Sequence, residues 1–104
     1  MRRLPIDIAH EQLVAFCQRW KIRELALFGS ALRNDFSPNS DVDLLVTFGE
    51  DANWSLFDHV QMQQELEALL KRKVDLLTRR AVEQSQNAIR RNAILSTART
   101  LIAA

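Results

Sequence analysis

The sequence predicts a small α/β domain, with a mixed β-sheet of about three strands flanked by helices in the order α-β-α-β-α-β-α. Two observations predict this class. Segments with apolar residues at helical spacing alternate with short, mostly apolar runs that are typical of strands. The chain also has 104 residues, of which 47% are apolar, which suffices for one core but not for two domains. We therefore expect residues 1–104 to form a single domain.

The first two predicted elements are a helix and a strand. The helix is indicated by an apolar stripe at i, i+3, i+4 and i+7, formed by Leu13, Phe16, Cys17 and Trp20. Asp7 is placed to cap its start. On this stripe the Cys17 thiol is expected to be buried and inert. The run Ile22–Phe28 is mostly apolar and is followed by Gly29, which predicts the first strand.

A polar loop and a second strand follow. The loop runs from Gly29 to Ser40, with one helical turn expected around residues 31–33 and a chain reversal at residues 37–40. Asp41–Phe48 is predicted as the second strand. Alternation places Val42, Leu44 and Val46 on one side of this strand, and Asp41, Asp43 and Leu45 on the other.

The second half of the chain is predicted as helix, strand and helix. Residues 54–70 form the helix, in which Trp54 and Phe57 are expected to join the core, and Lys73–Leu77 is the third strand. The tail is expected to be helical from Ala88 onward. Its apolar residues fit a period of 3.6: Ile94, Ala98, Leu101 and Ile102.

Composition narrows the class of protein. The net charge is +1 and the basic residues are dispersed, so we expect no direct binding to nucleic acid. A single cysteine, Cys17, excludes an internal disulfide and suits a reducing compartment. No apolar run approaches the roughly 20 residues that cross a bilayer. These features predict a cytoplasmic protein that does not bind a membrane.

Asp41 and Asp43 are the first candidate functional residues. Positions i and i+2 of a strand point to the same side, which places these carboxylates about 6–7 Å apart. Their repulsion is removed by a bound cation, and oxygen ligands suit Mg²⁺ or Mn²⁺ better than zinc or copper. The alternative is a solvated strand start, where aspartate is common.

Four further residues extend this hypothesis. Gly29 and Ser30 form a turn whose backbone N–H groups and hydroxyl can hold phosphate oxygens; a plain strand-to-helix turn is the alternative. Asp75 lies in an apolar strand, where it either joins the other carboxylates or faces solvent. Arg33 either reaches a phosphate or is solvated. Phosphate and Mg²⁺ are natural companions because the ion bridges phosphate oxygens to carboxylates, so the combination favours a functional site.

Together these residues resemble a known pattern. Gly29-Ser30, Arg33 and Asp41-Val42-Asp43 are similar to the GS…DxD signature of the DNA polymerase beta-type nucleotidyltransferases, and Asp75 matches the third carboxylate of that superfamily. The short chain, the segment VDLLTRRAVEQ and the tail IRRNAILSTAR resemble the minimal nucleotidyltransferase (MNT) branch, whose members pair with HEPN proteins in toxin–antitoxin systems. The resemblance covers nearly the whole chain.

The resemblance implies a function and a set of roles. Gly29, Ser30 and Arg33 are expected to bind the nucleoside triphosphate, and Asp41, Asp43 and Asp75 to be catalytic and to hold two Mg²⁺ ions, or Mn²⁺. The implied reaction is transfer of AMP from ATP to a tyrosine hydroxyl of a HEPN ribonuclease toxin, which neutralises the toxin. The implied assembly is a hetero-oligomer with that toxin.

Two other functions remain open from the sequence. One is a non-catalytic antitoxin, which neutralises a toxin by binding it and retains a nucleotide site. The other is an enzyme that transfers a nucleotide to a small molecule, although such enzymes usually carry an added acceptor domain and this chain has no room for one. The presence of all three aspartates favours an enzyme over a module that acts by binding alone.

Overall fold

The fold is a four-stranded sheet with helices on both faces, in a computed structural model that describes residues 10–29 and 41–103. The elements are α1 (His10–Arg19), β1 (Ile22–Phe28), β2 (Val42–Phe48), α2 (Leu56–Leu70), β3 (Val74–Thr78), α3 (Arg79–Glu83), α4 (Ala88–Thr97) and β4 (Arg99–Ala103). The strands lie in the order β3-β2-β1-β4. β1 is antiparallel to both of its neighbours, while β2 and β3 are parallel. The predicted mixed α/β class is confirmed.

One sheet face carries the larger of two cores. The alternation predicted for β2 is confirmed, since Val42, Leu44 and Val46 are all fully buried there. Helices α1 and α2 cover this face, with Met62 and Leu66 of α2 fully buried against it. The predicted core positions Leu13, Phe16, Cys17 and Trp20 are confirmed.

The other sheet face carries a smaller core under α3 and α4. Its buried members are Ala26, Phe28, Leu45, Val82 and Ile94. This core covers the middle of the sheet, and the start of β2 lies beside it. Among the described residues, no helix is long and apolar enough to cross a membrane.

Local side-chain chemistry fixes the ends of the helices. Ser55 and Asp58 form a reciprocal capping box at the start of α2, which therefore begins two residues after Trp54. The Lys71 backbone is left-handed, with φ of 55°, and ends the same helix. Thr78 and Asn87 cap the starts of α3 and α4. These caps set the connections that carry the chain into and out of β3.

The prediction of a helical tail is wrong beyond Thr97. Ala98 is extended, and the chain continues as β4, antiparallel to β1. The spacing of the apolar tail residues also suits a strand with one buried side chain, and Ile102 enters the larger core. The physical reason is that residues 25–28 of β1 are buried on both faces of the sheet, so the backbone groups of β1 need a hydrogen-bonding partner on each side.

The aromatic residues near α2 divide between core and surface. Trp54 packs on the larger core, where its ring lies edge-on to that of Trp20 with 5.1 Å between the ring centroids. Its indole N–H donates to the Trp20 carbonyl at 2.9 Å. The prediction that Phe57 joins the core is wrong, because its side chain is 87% exposed. Phe57 is in the first turn of α2, on the helix face that points away from the sheet.

Candidate functional site

Two of the predicted carboxylates are brought together by the strand register. Asp43 of β2 and Asp75 of β3 are direct partners in the parallel pairing. Partners in a ladder present their side chains on the same face of a sheet, so Asp75 does not lie on the side opposite Asp43. Asp43 is half-buried and Asp75 is exposed. The pair is thus accessible to a ligand that approaches this face.

Asp41 lies immediately before β2 and is exposed. The adjacent Val42 is buried, and its N–H donates to the Lys73 carbonyl at 2.9 Å. This bond joins the starts of β2 and β3 and fixes the chain on which Asp41 is carried. All three predicted carboxylates therefore occur at the starts of two adjacent strands.

Gly29 lies directly against the carboxylate of Asp43. It follows Phe28, the antiparallel partner of Asp43, and has a φ of +74°. A Cβ atom on Gly29 would be 2.2 Å from Asp43 Oδ2, far inside van der Waals contact. Glycine is required here both by the left-handed backbone and by this close approach. Ser30 and Arg33, the other predicted phosphate ligands, lie outside the described residues.

The carboxylate pair suits a hard divalent cation in its chemistry. Among residues 10–29 and 41–103, no three His, Cys, Asp or Glu side chains are gathered closely enough to hold a metal by themselves. Mg²⁺ in nucleotide sites is commonly bound through one or two carboxylates, with substrate phosphates and water completing the shell. Asp43 and Asp75 supply that kind of partial donor set.

The outer edge of β3 is held by side chains of α2, which sequence reasoning missed. Glu67 Oε2 accepts from the Val74 N–H at 3.0 Å, and Gln63 Oε1 accepts from the Leu76 N–H at 3.3 Å. His59 Nε2 lies 2.9 Å from the Leu76 carbonyl; since a carbonyl only accepts, Nε2 carries the proton. We call His59, Gln63 and Glu67 the edge column. Their spacing of four along a helix was the available signal.

A second polar cluster lies toward the opposite end of the same face. Arg79 of α3 donates to Glu24 of β1 at 3.1 Å, and the Thr100 hydroxyl of β4 donates to the other Glu24 oxygen at 3.2 Å. This cluster ties α3 to the two strands β1 and β4. Its carboxylate forms an ion pair with the Arg79 guanidinium.

The chain matches one protein-family model over most of its length. The model describes a nucleotidyltransferase domain and matches residues 10–98. That range includes β1, β2 and β3, the strands that carry Gly29, Asp43 and Asp75.

Curated archaeal relatives share part of the sequence. A candidate protein adenylyltransferase of Methanocaldococcus jannaschii is 41% identical over 75 residues, which are 72% of this chain and 78% of the relative. A second one from this organism is 34% identical over 62% of the chain and 64% of its own length. The protein adenylyltransferase MntA of Thermococcus cleftensis is 38% identical over 64% of the chain and 65% of its own length. The chain thus spans about two thirds of several of these relatives.

Solved structures share the fold. A candidate minimal nucleotidyltransferase is 31% identical, with a TM-score of 0.64 over 86% of this chain and 85% of that chain. A toxin–antitoxin complex with AMP-PNP has a TM-score of 0.69 at 17% identity, over 93% of this chain and 75% of that chain. An MNT antitoxin bound to a tri-AMPylated HEPN toxin of Shewanella oneidensis has a TM-score of 0.60 at 16% identity, over 91% of this chain and 70% of that chain. At such identities the last two show the fold alone.

Proposed function

The chain belongs to the nucleotidyltransferase domain family, and we propose that it is an antitoxin that transfers AMP from ATP to a tyrosine hydroxyl of a HEPN-domain toxin. The observation that carries this proposal is the parallel register that pairs Asp43 with Asp75, beside Gly29. The relatives described as protein adenylyltransferases support the reaction class. The fold neighbour bound to an AMPylated HEPN toxin supports the choice of partner.

The proposed chemistry is an in-line displacement at the α-phosphorus of ATP. Asp75, the more exposed of the paired carboxylates, accepts the proton of the tyrosine hydroxyl. The tyrosine oxygen then bonds to the α-phosphorus while the bond from that phosphorus to the pyrophosphate oxygen breaks. Asp41, Asp43 and Asp75 are the residues that would hold two Mg²⁺ ions, or Mn²⁺, which when bound offset the negative charge of the carboxylates and phosphates.

The proposed nucleotide site adjoins Asp43. Gly29 leaves its Cα free of a side chain at the place where the carboxylate comes closest, and its backbone can approach a phosphate in the same way. Ser30 and Arg33 follow Gly29 along the chain, and we assign the triphosphate to these three residues. The cell compartment we propose is the cytoplasm, and the assembly is a hetero-oligomer with the toxin.

The test is a transfer assay with the purified chain, its candidate HEPN partner, Mg²⁺ and ATP labelled at the α-phosphate. We expect label on the partner and a mass increase of whole AMP groups, located on tyrosine by peptide sequencing. Asp43→Asn and Asp75→Asn are expected to abolish labelling. Asp51→Asn is the matched control, because Asp51 is an exposed carboxylate that pairs with Lys21, away from the starts of β2 and β3.

Two results of this assay would change the conclusion. A tight complex without label, unaffected by Asp43→Asn, would identify an antitoxin that acts by binding alone. Label on a small molecule rather than on the partner would place the acceptor in another class.

A further inference from the structure

The outer edge of β3 is satisfied by a helix rather than by another strand. In a parallel ladder, alternate residues of an edge strand direct their backbone groups to the neighbouring strand and the others direct them outward. Val74 and Leu76 are the outward-directed residues. Three of their backbone groups form hydrogen bonds with the edge column of α2: the Val74 N–H at 3.0 Å, the Leu76 N–H at 3.3 Å and the Leu76 carbonyl at 2.9 Å. The column thus occupies the position that a fifth strand would take.

The edge column is carried by a firmly anchored helix. Its members are four residues apart and share one face of α2. The neighbouring positions Met62 and Leu66 are fully buried in the larger core, and the capping box fixes the first turn. Through its hydrogen bonds, the edge column therefore fixes the backbone of β3 relative to α2.

Gln63 contacts the peptide group that follows Asp75. The N–H of Leu76, which Gln63 Oε1 accepts, belongs to the peptide bond between Asp75 and Leu76. On its other side, β3 is held in register with β2, where Asp75 is opposite Asp43. The segment that carries Asp75 is thus clamped between β2 and α2.

We propose that Gln63 is a positioning residue for Asp75, which sets the separation of the two paired carboxylates through the Leu76 N–H. The inference rests on the proposed function for its kinetic consequence, since Asp75 is there the group that meets the acceptor hydroxyl. Gln63 itself does not touch reacting atoms. Groups that orient metal-binding or catalytic side chains typically contribute 10–100-fold to affinity or activity.

The test compares two substitutions at Gln63 with one at Gln64. Gln63→Met keeps the length of the side chain and removes the acceptor, whereas Gln63→Glu keeps an acceptor oxygen. Gln64→Met is the matched control, because Gln64 is an exposed glutamine on the same helix. The readouts are hydrogen exchange of the Leu76 amide, the ¹³C resonance of the Asp75 carboxyl, Mn²⁺ affinity, and kcat and KM for ATP.

Gln63→Met is expected to speed exchange at Leu76, shift the Asp75 resonance, and weaken Mn²⁺ binding and kcat about 10-fold, with KM for ATP within about twofold. Gln63→Glu is expected to restore these values, and Gln64→Met to leave them unchanged. Faster exchange at Leu76 without any change in the Asp75 resonance would overturn the positioning role. A wild-type chain that neither binds Mn²⁺ nor transfers AMP would instead overturn the proposed function.

Discussion

The two faces of the sheet differ in the number of buried residues that pack against them. Within the described part of the chain, the face under α1 and α2 belongs to a cluster of sixteen buried residues, and the face under α3 and α4 to a cluster of five. The paired carboxylates are on the second face, where Asp43 is half-buried and Asp75 is exposed. Since buried charges are costly unless paired, a site built from carboxylates requires a face on which the core is incomplete.

The largest effect that tests this comparison is expected from the carboxylates themselves. Asp43→Asn and Asp75→Asn should each lower AMP transfer by about 10²–10³-fold or more, while the free energy of unfolding changes little, because Asp43 is only half-buried and Asp75 is exposed. Initial rates and urea denaturation measure the two quantities. Marked unfolding of either variant would mean that these carboxylates serve the fold, and would remove the contrast between the faces.

Two adjacent leucines of β2 compare the faces within one strand. Leu44 is 0% exposed in the larger core and Leu45 is 2% exposed in the smaller one. Leu44→Ala is expected to lower the free energy of unfolding by about 3–5 kcal/mol and Leu45→Ala by about 2–3 kcal/mol, because a thinly covered site can collapse around the cavity. Urea denaturation measures both. Equal losses would show that the smaller core is packed as rigidly as the larger one.

Gly29 tests how tightly the carboxylate face is built. In Gly29→Ala the new methyl group would overlap Asp43 Oδ2, at 2.2 Å, in a left-handed backbone. The backbone strain costs about 1–2 kcal/mol, and displacement of Asp43 should lower transfer by about 10–100-fold. Gly49→Ala is the control, since its closest contact is a flexible Asp51 oxygen at 3.3 Å. If both variants retain wild-type activity, the contact between Gly29 and Asp43 does not matter for the site.

Sequence reasoning succeeded where one local signal determined the structure. Ile22–Phe28 is a buried apolar run ended by a glycine with positive φ, and its predicted bounds are confirmed. The tail failed because the spacing of its apolar residues suits a helix and a half-buried strand alike, and pairing with β1 decided between them.

The site was only partly predictable for the same reason. The face shared by Asp43 and Leu45 follows from alternation. The pairing of Asp43 with Asp75 depends instead on the register between β2 and β3, which the 25 residues between these strands do not specify. The edge column was not predicted, because polar residues four apart on a helix are also typical of a solvated face. Only the position of α2 against β3 distinguishes the two.

The smallest expected effect concerns the one cysteine, Cys17, which lies in the larger core. Burial raises the pKa of its thiol from 9.0 to about 11. The unfolded chain therefore releases this proton at a lower pH than the folded chain, so the thiol's contribution to stability is complete below pH 9 and is lost as the pH rises toward 11.

The expected loss in the free energy of unfolding is about 1.4 kcal/mol at pH 10. Urea denaturation of the wild type and of Cys17→Ala at pH 8 and pH 10 isolates the contribution of the thiol, since the two proteins share every other titratable group and the chain has no tyrosine. The same pH dependence in the two proteins would mean that the thiol is solvated. The larger core would then be less completely closed to water, and the contrast with the face that carries the carboxylates would be weaker.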